Sequence, residues 1–187
     1  MTTKSVSSQV VYFLGWILVL LTAPLAASAH DIKEMSINAR VHADRIELRV
    51  VTSNHMASAL LALGTEGQAA ALDAETFASL RPRLETRGKE LLSLWTGGKT
   101  ARELPVTAID VLLGQQNEIE FFLTYAPATD GALRIDAKVL DQIENGYVVT
   151  LLVFDAKRTQ IGAKAMKRGD SSLTVPLAGN AREQAAK

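Results

Sequence analysis

A mainly β chain, an antiparallel sandwich of about seven strands with one helical insertion at about residues 73–95, is predicted by three observations. Short segments alternate apolar and polar residues with period two. Turn-forming residues separate these segments at regular spacing. One stretch carries a clear helical repeat behind a capping residue.

The elements follow in order. In residues 35–41, Met35, Ile37, Ala39 and Val41 share one face, and Ser36, Asn38 and Arg40 the other. Ile46, Leu48 and Val50 repeat the pattern against Glu47 and Arg49, so the two runs read as a hairpin turning at residues 42–45. An Ala- and Leu-rich piece, 56–63, predicts a short helix ended by glycines at 64 and 67. Asp73 is a good N-cap, and Glu75 favours the first turn through the helix dipole. Phe77, Leu80, Leu84, Leu91 and Leu94 form one stripe, Pro82 predicts a kink or two short helices, and Gly97-Gly98 closes the element. This insertion is expected to cap one end of the sandwich or cover a sheet edge.

The remainder is strand-like. Segments 106–113, 119–125 and 133–139 come first. Segment 147–154, behind the Asn145-Gly146 turn, is a continuous β-branched and aromatic run and predicts a strand buried on both faces. Segments 160–166 and 173–177 give two weaker final strands, and 179–187 a flexible tail. Short antiparallel strands in this number point to an Ig-like sandwich.

The N-terminus reads as a secretory signal peptide, residues 1–29. Lys4 starts it, VVYFLGWILVLL at 10–21 is its apolar run, Pro24 breaks it, and Ala27-Ser28-Ala29 is a small-x-small cleavage site. An uncleaved signal anchor is the alternative, and a run this short fits it less well. Cleavage after Ala29 makes His30 the first residue of a single domain, 30–178. Twenty basic and twenty acidic residues leave no net charge, which argues against nucleic acid as a partner. No second long apolar run is present, so the chain is expected to be soluble once the signal is removed. Cysteine is absent, which excludes thiol nucleophiles, zinc–thiolate sites and iron–sulfur clusters. Export without a disulfide framework leans toward a Gram-negative periplasm.

The three histidines are His30, His42 and His55. An N-terminal histidine offers its α-amine and imidazole Nδ1 to one ion, and a second imidazole completes a three-nitrogen site suited to Cu(II). Continuing the hairpin pairing puts His55 opposite Asp31 or Ile32, so His30 and His55 are the candidate metal ligands at one end of the sheet. His42, at the turn end, is expected to be solvated. The competing reading makes His30 an accident of the cleavage site and His55 a polar loop residue. Met35, Met56 and Met166 could add thioether donors but fit core positions. No G-x-S-x-G elbow, calcium loop or phosphate loop is present, since Gly97-Gly98-Lys99-Thr100 lacks the earlier glycine and follows a helix. The chain is therefore expected not to be an enzyme.

Ala29-His30, "RIELRV", "LDAETFASLRPRLETRGKELLSL" followed by "GGK", "EIEFFLTYAP" and "GYVVTLLVFDAKRTQIGAKAM" together resemble the extracytoplasmic N-terminal domain of HupE/UreJ-type membrane proteins, which are similar to nickel transporters. The resemblance implies a periplasmic β-rich module beside a membrane domain. No transmembrane region follows Leu177 in this sequence, so the expectation is a stand-alone soluble relative working with a membrane-protein partner. A looser likeness, through His30 and the sandwich alone, is to CopC-type copper carriers. The expected function is thus an exported binding or accessory protein handling one copper or nickel ion. The alternative is a metal-free structural or protein-interaction module.

Overall fold

The computed structural model describes residues 34–64, 72–97, 101–115, 117–128 and 131–177. The signal segment, His30 and the tail at 179–187 lie outside the described residues.

Strand β1 (Glu34–Val41) and strand β2 (Ile46–Thr52) form the expected hairpin, in register from Met35↔Thr52 to Val41↔Ile46. Met35, Ile37, Ala39, Ile46, Leu48 and Val50 are buried, and the intervening polar side chains face outward. Helix α1 (Asn54–Ala62) follows, its N-terminus capped by Ser53 Oγ, which accepts from the Met56 amide at 3.2 Å.

Helix α2 (Ala74–Gly88) starts as its sequence predicts. Asp73 Oδ1 accepts from the amides of Glu75 at 3.0 Å and Thr76 at 2.8 Å, while the Asp73 amide donates to Thr76 Oγ1. The rest of the insertion differs from expectation in two ways. The helix runs unbroken through Pro82, because Pro82 and Ala78 both face solvent and the carbonyl that loses its partner is on the wet side. It also ends at Gly88, and Leu94 belongs to strand β3 (Ser93–Thr96). Leu91 and Leu94, three apart, mimic a helical stripe, but both are buried from a turn and a strand.

The remaining elements are β4 (Arg102–Leu104), β5 (Val106–Leu113), β6 (Ile119–Tyr125), β7 (Ala132–Asp136), α3 (Val139–Gln142), β8 (Val148–Phe154), β9 (Gln160–Met166) and β10 (Ser172–Pro176). The predicted strand segment 133–139 stops at Asp136, where β7 ends, and Val139 and Leu140 are buried from the short helix instead.

Two sheets make the sandwich. One has six strands in the order β5-β6-β2-β1-β8-β9, the other four in the order β10-β7-β3-β4. Ten strands are therefore described, not about seven. The pairing is antiparallel throughout except that β1 and β8 run parallel, from Glu34↔Val148 to Arg40↔Phe154. A parallel neighbour needs no hairpin, only a long connection, so nothing local in either strand announces it. Ile37, Phe121, Leu123, Val149 and Leu151 of the larger sheet and Leu94, Leu104, Leu133 and Ile135 of the smaller belong to one buried core.

Helix α2 packs on β5, the edge of the six-stranded sheet, as the covering role predicts. Arg81 Nη2 donates to Asp110 Oδ1 at 2.6 Å, and Gly88 sits flush against Ile109 and Phe121. Strand β8 is not buried on both faces. Val149, Leu151 and Val153 are buried, but Val148 is 38% exposed, Thr150 is exposed, and Leu152 and Phe154 are half-buried. A two-sheet sandwich leaves each sheet one wet face, and here that face carries apolar side chains.

Candidate functional site

Three side chains meet at the end of the six-stranded sheet where β1 begins. Strand β2 stops at Thr52, Ser53 caps α1, and His55 sits in the first helical turn, exposed. Its ring stacks on Tyr147, with centroids 6.2 Å apart and planes 12° from parallel. Its Nε2 lies 3.8 Å from Glu144 Oε1. Glu144 and Tyr147 flank the predicted Asn145-Gly146 turn, where Gly146 takes φ 101°, a conformation that favours glycine. Tyr147 immediately precedes Val148, which pairs with Glu34, so the start of β1 shares this end.

His55 thus lies at the end of the sheet where β1 begins, but not at the end of strand β2. It stands on a helix, because the β1–β2 pairing gives way to the Ser53 cap after Thr52. Its presumed companion, His30, lies outside the described residues. The His55 imidazole is half exposed and approachable, with its side chain 48% accessible. Ligands on one ion, each at ~2.0–2.2 Å, stand about 3 Å apart. The 3.8 Å gap between His55 Nε2 and Glu144 Oε1 needs only a small closure to meet that geometry. The pair supplies two donors of types that copper, nickel and zinc accept. Among the described residues no group of three or more His, Cys, Asp and Glu is placed to hold an ion.

His42 is less solvated than its sequence position predicts. At the opposite end of β1 its Nε2 lies 3.1 Å from Glu47 Oε2, with the imidazole side chain only 21% exposed. Arg45 Nε donates to Glu47 Oε1 at 2.7 Å, and Arg45 Nη1 to Asp44 Oδ2 at 2.8 Å. The hydrogen bond from Arg45 holds the Glu47 carboxyl below its usual range. Met35, Met56 and Met166 are all buried in the core, as their spacing predicts.

A second feature lies on the outer face of the same sheet. A groove of about 500 Å³ crosses β6, β2, β1 and β8, lined by Asn38, Arg40, Glu47, Arg49, Phe122 and Phe154 among others. Register explains it. One cross-strand row reads Phe122–Arg49–Asn38–Leu152 and the next Thr124–Glu47–Arg40–Phe154. The sequence signal for it was the outward positions of β6 and β8, where Phe122, Leu152 and Phe154 replace the usual polar residues. Arg49 is tied to Glu120 by two bonds of 2.8 Å, which hold the Glu120 carboxyl below its usual range.

Among the described residues no helix is long and apolar enough to cross a membrane. No protein-family model matches the chain, and no curated protein matches it.

Proposed function

We propose that this chain is an exported, non-catalytic β-sandwich that acts in the periplasm as a binding or accessory module for copper or nickel, beside a membrane-protein partner. One observation carries the reading. The exposed His55 imidazole, 3.8 Å from Glu144 Oε1, stands at the end of the sheet where β1 begins, four residues after His30 in sequence. In this reading the processed terminus at His30 supplies its α-amine and Nδ1, and His55 the second imidazole. Three nitrogens suit Cu(II), and an α-amine of pKa ~8 is freed for a metal at little cost near neutral pH. The resemblance to the extracytoplasmic domain of HupE/UreJ-type proteins supports the membrane partner.

The test uses protein exported from cells expressing the full chain, with its N-terminal residue established by mass spectrometry. Cu(II) and Ni(II) are titrated by calorimetry. His55→Ala and a form with one residue added ahead of His30 should each weaken binding by at least about tenfold, the loss of one good ligand. Equal affinity for all three proteins sinks the proposal.

A second reading, a metal-free interaction module, is favoured by the apolar side chains on the outer face. Leu112, Phe122 and Val148 are 45%, 37% and 38% exposed. It predicts that partner binding is indifferent to His55→Ala.

A further inference from the structure

The outer groove differs from an ordinary wet sheet face in how its charges are distributed. Glu47 is spoken for by Arg45 and His42, and Arg49 by Glu120. Arg40 lies in the same floor, half-buried, and among the described residues its guanidinium has no hydrogen-bond or ion-pair partner. The groove therefore offers one uncommitted cation. An arginine presents five donors in a planar fork that matches a carboxylate or sulfonate.

The walls supply the other half of the specificity. Phe122 rises from β6 and Phe154 from β8, with β2 and β1 between them. At a strand spacing of ~4.8 Å the two backbones stand about 14 Å apart, wide enough for a fused or acyl apolar body between the rings. Leu152, in the Phe122 row, extends the apolar side. The volume of about 500 Å³ falls in the range of small-molecule sites. An extended peptide adds to a sheet edge through its main chain, and this groove lies on a sheet face, so it has no ladder to offer one.

We infer that this groove is a binding site for a small amphipathic organic anion, its carboxylate or sulfonate on Arg40 and its apolar body between Phe122 and Phe154. The site is separate from the His55 end and does not depend on a metal.

The probe is 8-anilinonaphthalene-1-sulfonate, an aromatic anion that fluoresces when shielded from water. Its neutral counterpart is N-phenyl-1-naphthylamine, with the same rings and no sulfonate. Both are titrated into protein exported from the full chain, with thermal melts confirming that each variant is folded. Saturable binding of the sulfonate at one site is expected. Arg40→Gln should weaken it about tenfold or more, the loss of a charge-assisted pair, and leave the neutral probe within about twofold. Phe122→Ser should weaken both probes. The inference is overturned if the sulfonate does not saturate, or if Arg40→Gln leaves its affinity unchanged. It is equally overturned if Arg40→Gln weakens both probes alike, since the arginine would then be supporting the sheet and not the anion.

Discussion

Gly88 is the last residue of α2 and lies directly against Ile109 and Phe121 of the sheet. Its φ is not in the left-handed region, so the backbone alone tolerates any residue. Helix propensity favours Gly88→Ala by up to about 1 kcal/mol. Space opposes it. A Cβ there would stand 2.6 Å from Ile109 Cδ1 and 2.8 Å from Phe121 Cδ1. The Ile109 methyl is the end of a flexible, half-buried side chain and can swing away. The Phe121 ring is fully buried and cannot. Overpacking of this kind costs about 1–3 kcal/mol, so the net expectation is a loss of about 1 kcal/mol. For a domain of this size that lowers Tm by about 2–4 °C. Thermal melts of four proteins check it: wild type, Gly88→Ala, Ile109→Val and the double variant. Ile109→Val removes Cδ1, so Gly88→Ala should cost less in that background, with a coupling of at least about 0.5 kcal/mol. A rise in Tm for Gly88→Ala, or a cycle with no coupling, refutes the packing account.

Tyr125 is buried and donates to the Leu92 carbonyl at 3.1 Å, so Tyr125→Phe should destabilise the fold by about 1 kcal/mol in chemical denaturation. Burial, reinforced by Glu103, raises its phenol above the usual range. A raised folded-state value gives stability that is complete below the unfolded pKa of ~10 and is lost as pH climbs past it. The wild-type Tm should therefore fall steeply above that pH, and Tyr125→Phe should flatten the fall. A Tm equally steep in both proteins removes Tyr125 as the cause. At the acid end, Asp73, Glu47 and Glu120 are all held low, Asp73 chiefly by the Thr76 amide, Glu47 by Arg45 and Glu120 by Arg49. Stability from such groups is present above the unfolded carboxylate range and lost as pH falls through the folded values, so Tm should drop on acidification below about 4.5. Asp73→Ala should lower Tm at pH 7, while Asp73→Asn, which keeps an acceptor for the first-turn amides, should retain most of it. Equal loss in the two variants argues that the cap is not what Asp73 contributes.

Strands whose two faces differ were readable from the chain. Segments 106–113, 119–125 and 160–166 coincide with β5, β6 and β9, and the Asp73 cap and the β1–β2 hairpin are where the alternation puts them. The short strands β3 and β4 were hidden because four and three residues are too few to show a period. Leu91 and Leu94 then lent a false helical spacing. In β8 a continuous apolar run reads the same whether both faces are buried or one wet face happens to be apolar, and only the sheet order decides. The same limit applies to the candidate site. The position of His55 at one end of the hairpin follows from register. Glu144 and Tyr147 come from far along the chain, and it is the parallel β1–β8 pairing, with no local signature, that brings them beside it.

That pairing also makes the two proposed sites separable. Both lie along β1, but Glu34 marks the His55 end and Arg40 the groove, and six residues at a rise of ~3.3 Å put them about 20 Å apart. Substitutions at that distance with no shared partner act independently. Arg40→Gln should thus leave Cu(II) affinity unchanged, and His55→Ala should leave the binding of 8-anilinonaphthalene-1-sulfonate unchanged. Calorimetry and fluorescence on the same two variants complete the cross-check. If each variant harms both ligands, the common element is β1 itself, and neither residue is acting as a direct contact. If each harms only its own, the sheet carries two recognitions at once, and the apolar wet face of β8 belongs to the groove rather than to strand propensity.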